Sequence, residues 1–509
     1  MTWSYEVAVI GTGFSGIAVA IELRRRGITD FVMLERADAV GGTWRDNTYP
    51  GCAVDVPSLL YSYSYAADHD WSRLYAPAAE LRAYTESVVD RFGLRPHIRL
   101  RSEVSEADFD PDDDRWVLRL RDGSAVRART VVMGYFSLHV PALPDMPGLD
   151  TFRGVQMHSG RWDHEFVASG KRVAVIGSGA SAVQIVPALA RAGAEVVSVQ
   201  RSPAWVLPRG DRRIPGPIRA VLRRVPAARI AARAMILLLL EALHLAEFHP
   251  RFLSIFERVC RFALAQQVPD PALRARLTPD YRFGCKRPMV SDEYYRSFTR
   301  DNVELVTAEL AEITPTGLRT ADGEQRDVDA IVWATGFRVQ DSIDHFPDFR
   351  APGLSTRTKF ARDGFTAYRG VAFAGLPNLF AVTGPNTALP HTSQFLGIEA
   401  SSGLIARIIT RMRDDGVTRY TPSVEAETRW VTEARATLST RIWSTGGCAS
   451  YFVDKDGTNT LVYPGGAITA RLERRRLLLR DWERDTADDI ERRTGFRGSV
   501  LRVVHAIVG

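Results

Sequence analysis

Cysteine is scarce in this chain: Cys52, Cys260, Cys285 and Cys448 are the only four in 509 residues, and they stand far apart. No Cys-x-x-Cys pair is present, which excludes a dithiol redox centre and a cysteine-rich zinc site of ordinary spacing. His97, His139 and His391 show no ligand spacing with one another or with carboxylates, so no metal site is expected. Long apolar runs are missing too. The nearest, Ala234 to Leu240, is interrupted by Glu241 and His244 and falls short of the roughly 20 residues a spanning helix needs. There is no basic block: 66 Lys+Arg against 60 Asp+Glu leave a net charge of only +6, which gives nucleic acid little weight as a partner. The strand Glu6 to Ile10 starts too soon after Met1 to leave room for the charged and apolar regions of a secretion signal. With the scattered cysteines, this points to a reducing cytoplasm.

What is present is an ordinary globular composition in a chain too long for one compact core, so two or three domains are expected. Two strand-turn-helix units of one design occur, at Val7 to Arg25 and at Arg172 to Arg191, each with a glycine-rich turn after an apolar strand. The pattern is an internal duplication and predicts an α/β fold with two Rossmann-like dinucleotide-binding domains. Pro141, Pro144, Pro147 and Gly148 make a stiff connection between them. A helical insertion in the second domain is expected over 209–277, after Pro208 and Pro215. The predicted division is 1–140 for the first part of the FAD domain and 141–151 for the linker. The NADP domain follows as 152–208 and 278–332, and 333–509 completes the FAD domain with a charged, helical C-terminal extension. Arg219, Arg223, Arg224, Arg229 and Arg233 precede the apolar stretch of the insertion. A core-facing helix with a solvated arginine face is the preferred reading, with a basic amphipathic helix on a lipid surface as the alternative.

Gly11-Thr12-Gly13-Phe14-Ser15-Gly16 follows a strand and opens a helix, the setting in which backbone N–H groups meet a pyrophosphate at a helix N-terminus. Glu35 lies 24 residues after Gly11, at the end of the next apolar strand. A carboxylate there accepts hydrogen bonds from ribose hydroxyls and repels a 2′-phosphate, which reads as FAD or NAD. Gly177-Ser178-Gly179-Ala180-Ser181-Ala182 repeats the turn, but Arg201 stands 24 residues on in place of the acid. An arginine there accommodates a 2′-phosphate and favours NADPH.

Two longer patterns carry a family resemblance. Phe152-x-Gly154-x3-His158-x3-Trp162-Asp163 resembles the fingerprint of Baeyer-Villiger monooxygenases, which are related to the flavin-containing monooxygenases. Gly41, Gly42, Trp44, Tyr49, Pro50, Gly51 and Asp55 are similar to a second signature of that family. Likeness continues through Gly284 to Pro288, Arg300 to Val303, Ala334 to Phe337 and Gly384 to Asn386, covering about residues 5 to 465. The sequence departs from the family at Ala388-Leu389-Pro390 and at Met133-Gly134, segments expected to border the flavin or the substrate.

The resemblance implies a monooxygenase that uses FAD, NADPH and O2 to turn a lipophilic ketone into an ester or lactone. It assigns Arg287 to stabilising a C4a-peroxyflavin and the tetrahedral adduct, with Asp55 as its charge partner. Lys286 joins Arg201 at the 2′-phosphate, Thr43, Trp44 and Tyr61 contact the flavin, and Val104 offers a backbone contact to the adenine. Tyr451 aligns with an aromatic over the nicotinamide, core packing being the other reading. His158 and Trp162 read as organisers of the interdomain hinge rather than proton carriers. The rivals are an N- or S-hydroxylating flavin monooxygenase, a flavin reductase that does not oxygenate, and a flavin-binding scaffold without turnover.

Overall fold

The computed structural model describes residues 2–135, 138–246, 250–339 and 344–486. Its core is two sheets, each built on one of the glycine turns. In the first, the strands run in the order Leu354–Ser355, Phe349–Ala351, Val104–Asp110, Arg115–Leu120, Ala125–Met133, Thr2–Ile10, Phe31–Leu34 and Ile98–Arg99, and Leu379–Ala381 pairs beside Met133. Thr2–Ile10 is flanked on both sides by parallel neighbours, and such strands are covered on both faces and read as continuous apolar runs. Val7, Ala8 and Val9 are accordingly fully buried. The second sheet is parallel throughout, in the order Val303–Val306, Glu195–Val199, Arg172–Ile176, Ala330–Trp333 and Val155–His158.

The strands Thr2–Ile10 and Arg172–Ile176 lie inside their sheets, and the turn after each enters a helix, Phe14–Arg25 and Ala180–Arg191. Ligands of such sheets bind at the carboxyl ends of the strands, so both turns open onto that side.

The stretch between the two halves of the second sheet is helical: Gly216–Arg224, Pro226–Ala246, Pro250–Gln267 and Pro271–Arg276. The expected orientation of its apolar helix needs correction. Ile236, Leu237 and Leu240 pack inward, but Met235, Leu238 and Leu239 are 62–68% exposed. Arg233, expected on the solvated face, is buried, and its guanidinium donates to the Leu59 carbonyl and the Ser62 hydroxyl. The C-terminal extension is also not helical throughout. Helix Ala467–Arg474 is followed by a strand, Trp482–Thr486, paired antiparallel with Val417–Pro422. Trp482 is the reason: it is buried against Tyr368 and Tyr420. The remainder of that extension, after residue 486, lies outside the described residues. Among the described residues, no helix is long and apolar enough to cross a membrane.

Candidate active site

A cleft of about 950 Å³ runs between the two sheets and is lined by both glycine turns, Glu35, Trp44, Asp55, Tyr61, Val104 and Arg287. Helix Phe14–Arg25 begins at Gly13 and helix Ala180–Arg191 at Gly179, and neither has a side-chain cap. Their first N–H groups are therefore left to a ligand, and the macrodipoles favour an anion there. The last glycine of the first turn is a packing requirement: a Cβ on Gly16 would stand 2.0 Å from the Gly11 carbonyl oxygen, and one on Gly134 would stand 2.8 Å from the Gly16 Cα. The departure at Met133-Gly134 thus borders the cleft, and its glycine serves the turn.

Glu35 is 4% exposed and faces the turn. Its carboxylate accepts from the Thr12 N–H at 3.0 Å, the Thr12 hydroxyl at 2.7 Å, the Ala37 N–H at 3.0 Å and Arg45 Nη1 at 3.1 Å. Burial pushes this carboxyl up, but the bonds from Ala37 and Thr12 and the charge of Arg45 outweigh it and hold it below the usual carboxylate range. It is an anion at neutral pH. Thr43 starts a short helix whose Trp44 donates its indole N–H to the Tyr61 hydroxyl at 3.2 Å. Phe14, Tyr61 and Phe395 pack together, with Phe395 5.0 Å from Tyr61 and 4.4 Å from Phe14 between ring centres. Phe395 escapes sequence reasoning because it lies far along the chain with no motif around it.

Arg287 and Asp55, 232 residues apart, form an ion pair: Nε donates to Oδ2 at 2.9 Å, and each side chain is about a quarter exposed. Arg287 Nη1 donates to the Pro390 carbonyl at 3.1 Å. Among the described residues nothing takes Nη2, so the guanidinium is held by two edges with an amino group to spare. The Asp55 carboxylate raises the Arg287 pKa against the effect of burial, so the cation is permanent. Pro390 belongs to the departing segment Ala388-Leu389-Pro390, which therefore holds the arginine as well as bordering the cleft. Tyr451 lines the same cleft and is 43% exposed, which corrects the core-packing alternative.

At the second turn the Ser178 hydroxyl donates to the Ser202 carbonyl at 2.7 Å, tying the turn to the segment that carries exposed Arg201. Lys286 sits 4.7 Å from the Tyr281 ring centre. Burial and then the charge of Arg201 lower its pKa, against a smaller opposing effect of the Asp280 carboxylate, so two cations stand close together beside the second turn. His158 is fully engaged: Nε2 pairs with the Gly336 carbonyl at 2.8 Å and Nδ1 accepts from the Gly160 N–H at 3.0 Å. Burial lowers its pKa, so it is a neutral strut between strand ends. Gly154 of the same fingerprint is required by close approach, since a Cβ would meet the Asp329 carbonyl at 2.4 Å.

Two features had no sequence signal. Gln184 accepts from the Tyr49 hydroxyl at 3.1 Å and donates to the Ala53 carbonyl at 2.9 Å, fastening the second turn's helix to the loop that leads to Asp55. Cys285 and Cys448 are joined in a disulfide. This runs against the reducing cytoplasm that the scattered cysteines suggested. The bond ties the Lys286-Arg287 segment to the loop of Tyr451, and closing a span of 163 residues is worth about 5 kcal/mol in the loop-entropy view. Cys52 and Cys260 are free, and burial pushes their thiols up to about 11 and about 12. The folded protein is expected to be inert to a thiol reagent at neutral pH, to show two thiols when denatured without reductant, and four after reduction. Four without reductant would mean that the bond does not form.

The two open turns facing one cleft, with an anchored arginine between them, define a protein of the two-dinucleotide type. The model of the FMO-like, flavin-binding monooxygenase-like family matches residues 4–224. A Baeyer-Villiger monooxygenase of Streptomyces coelicolor is 43% identical over 484 residues, covering 94% of this chain and 92% of the relative. One from Pseudomonas aeruginosa is 37% identical over 462 residues, covering 90% and 88%. The crystal structure of OTEMO in complex with FAD and NADP is 27% identical and superposes with a TM-score of 0.86 over 95% of this chain and all of that one. The chain belongs to the Baeyer-Villiger monooxygenase family.

Proposed function

We propose that the chain binds FAD at the first turn and NADPH at the second, and inserts one atom of O2 beside the carbonyl of a lipophilic ketone. The other oxygen atom leaves as water and NADPH supplies the two electrons, giving an ester or lactone, water and NADP+. The observation that carries this reading is Arg287, a permanent cation at the cleft fixed by Asp55 and Pro390, with an amino group that takes no partner among the described residues. A bound flavin supplies the reduced ring at which O2 is activated. The residues fit such a group: two uncapped helix ends for pyrophosphates, an anionic Glu35 where FAD carries a ribose, and Trp44 and Tyr61 as an aromatic wall.

Arg287 supplies a fixed positive charge for the negative oxygen that attacks the carbonyl, and such preorganised charge stabilises the addition without solvent reorganisation. Asp55 aims it. Arg201 and Lys286 hold the 2′-phosphate, Ser178 and the turn amides take the pyrophosphate, Val104 offers its backbone to the adenine, and Tyr451 covers the nicotinamide. The proposed domain division places 1–140 with 333–509 and 152–208 with 278–332, supported by the return of Phe349–Ala351 to the first sheet and of Val303–Val306 to the second. A cytoplasmic location is supported by the use of NADPH. The disulfide argues against it, because such bonds persist in oxidising compartments, and alkylation of cysteines during lysis decides between the two.

The reading is tested by aerobic incubation with NADPH and a mixed ketone panel: a product heavier by one oxygen is expected, and NADPH consumption without any such product would count against it. A second expectation concerns the first turn alone. Gly16→Ala puts a methyl group into the Gly11 carbonyl, so the protein should purify with little or no FAD, read from flavin absorbance after denaturation. Undiminished FAD would show that the turn is not the flavin site.

A further inference from the structure

The helix Pro226–Ala246 is inside out for a protein surrounded by water. A surface helix normally turns its polar face to solvent. Here every exposed side chain among the described ones is apolar: Ile230, Met235, Leu238, Leu239 and Leu245 at 62–68%, together with alanines and the leading proline. Its charged groups are withdrawn. Arg233 is buried on Leu59 and Ser62, Arg229 folds back on the carbonyls of Leu222 and Arg223, and Glu241 accepts from His391 Nε2 and the Ala467 N–H, both at 2.9 Å. The exposed side of helix Pro250–Gln267 carries Phe252, Ile255, Val259 and Phe262 at 41–67%, with Arg258, Arg261 and Gln266 among them. Of the twenty large hydrophobic residues exposed among the described residues, twelve fall between Ile218 and Phe262. Scattered exposed residues need no explanation, but a concentration of this kind marks a contact surface.

Charge selects the partner. Residues 209–277 contain 13 arginines and 5 acidic residues, a net +8, whereas the whole chain carries +6; Arg229 and Arg233 are withdrawn and Arg219 and Arg223 pair with Asp70, but Arg224 and Arg258 are exposed. A second copy of the chain docking through the same face would bring two such clusters together. An anionic lipid surface offers both a medium for the apolar side chains and a counter-charge for the arginines. We infer that the helical insertion is a membrane-docking element, with helix Pro226–Ala246 lying along an anionic bilayer surface without crossing it. The inner side of the same helix backs the segment that borders the active site: Glu241 holds His391, which adjoins Pro390, whose carbonyl holds Arg287. The docked face is therefore one layer from the cleft, where a carbonyl compound dissolved in the bilayer would be taken up.

The inference goes beyond the oxygenation reading, and its test needs no turnover. FAD-loaded holoenzyme is sedimented with vesicles of phosphatidylcholine, with and without phosphatidylglycerol. Binding to the anionic vesicles is expected, weakened by salt and weaker with phosphatidylcholine alone. The triple change Met235→Ser, Leu238→Ser and Leu239→Ser should reduce binding by about tenfold or more, with flavin content unchanged and the unfolding midpoint lowered only slightly by the poorer helix propensity of serine, because most of each side chain faces water. A second variant, Arg224→Ser with Arg258→Ser, should remove the preference for phosphatidylglycerol and leave the apolar part. Failure of the wild-type enzyme to bind either vesicle overturns the inference, as does equal binding by the triple variant. A wild-type dimer that the triple variant converts to monomer, with no vesicle binding, would assign the face to a second copy instead.

Discussion

Arg287→Ala is expected to lose ester or lactone formation by about 10²–10³-fold or more, the scale on which removing a preorganised charge donor acts, while NADPH is still oxidised and H2O2 accumulates. The separation follows from where the cation sits. In the proposed assignment hydride delivery to the flavin rests mainly on the second turn and the residues given to the nicotinamide, whereas the carbonyl addition builds negative charge on oxygen next to the guanidinium. Asp55→Ala should act in the same direction and less completely, because it removes the 2.9 Å anchor at Nε and leaves the charge and the Pro390 contact. Flavin reduction by NADPH in stopped flow, with product and peroxide measured in parallel, checks both. Near wild-type conversion by the alanine variant would remove Arg287 from the chemistry and overturn the role given to the fixed cation.

The second large effect is on cofactor choice. Arg201→Ala with Lys286→Ala should raise the NADPH KM by about 10²-fold, taking each charge-assisted contact at about 1.5 kcal/mol because Arg201 is exposed, and leave NADH almost untouched. The pH dependence carries the same information. Burial and the Arg201 charge lower the Lys286 pKa, so Lys286 loses its proton earlier than a free lysine as pH rises. NADPH affinity should fall towards alkaline pH while NADH affinity does not, and the difference should vanish in Lys286→Ala. Equal losses for both cofactors would mean that these side chains support the fold rather than the phosphate.

What the sequence made legible was local. The glycine turns, Glu35 and Arg201 are separated by fixed short spacings, because a strand, a turn and a helix impose them, and Gly16 cannot be another residue while its Cβ position is filled by a carbonyl. Asp55 and Arg287 were reached through motifs on separate segments, and their contact across 232 residues required the fold. Pairings without a motif stayed hidden: Cys285 with Cys448, Gln184 with the loop at Ala53, and Glu241 with His391 lie 163, 131 and 150 residues apart. The helical insertion was misread for a physical reason. A periodic apolar stripe says that one face avoids water without saying what covers it, and the inward turn of Arg233 depends on the oxygens of Leu59 and Ser62, which no local pattern announces. Trp482 shows the same limit: five residues with four polar or charged side chains read as a solvated helix, and one buried indole makes them a strand.

The central claim, that this enzyme transfers an atom of O2 to a carbonyl compound with the help of a fixed cation, is tested most directly by isotope. Holoenzyme, NADPH and a ketone that turns over are incubated under oxygen-18 gas in ordinary water, and the product is read by mass spectrometry. The account predicts an ester or lactone carrying one oxygen-18 atom next to the original carbonyl carbon, with the carbonyl oxygen unlabelled and no such product from Arg287→Ala. Label absent from the product, or label found on nitrogen or sulfur of added amines and sulfides while every ketone is left unchanged, would contradict it.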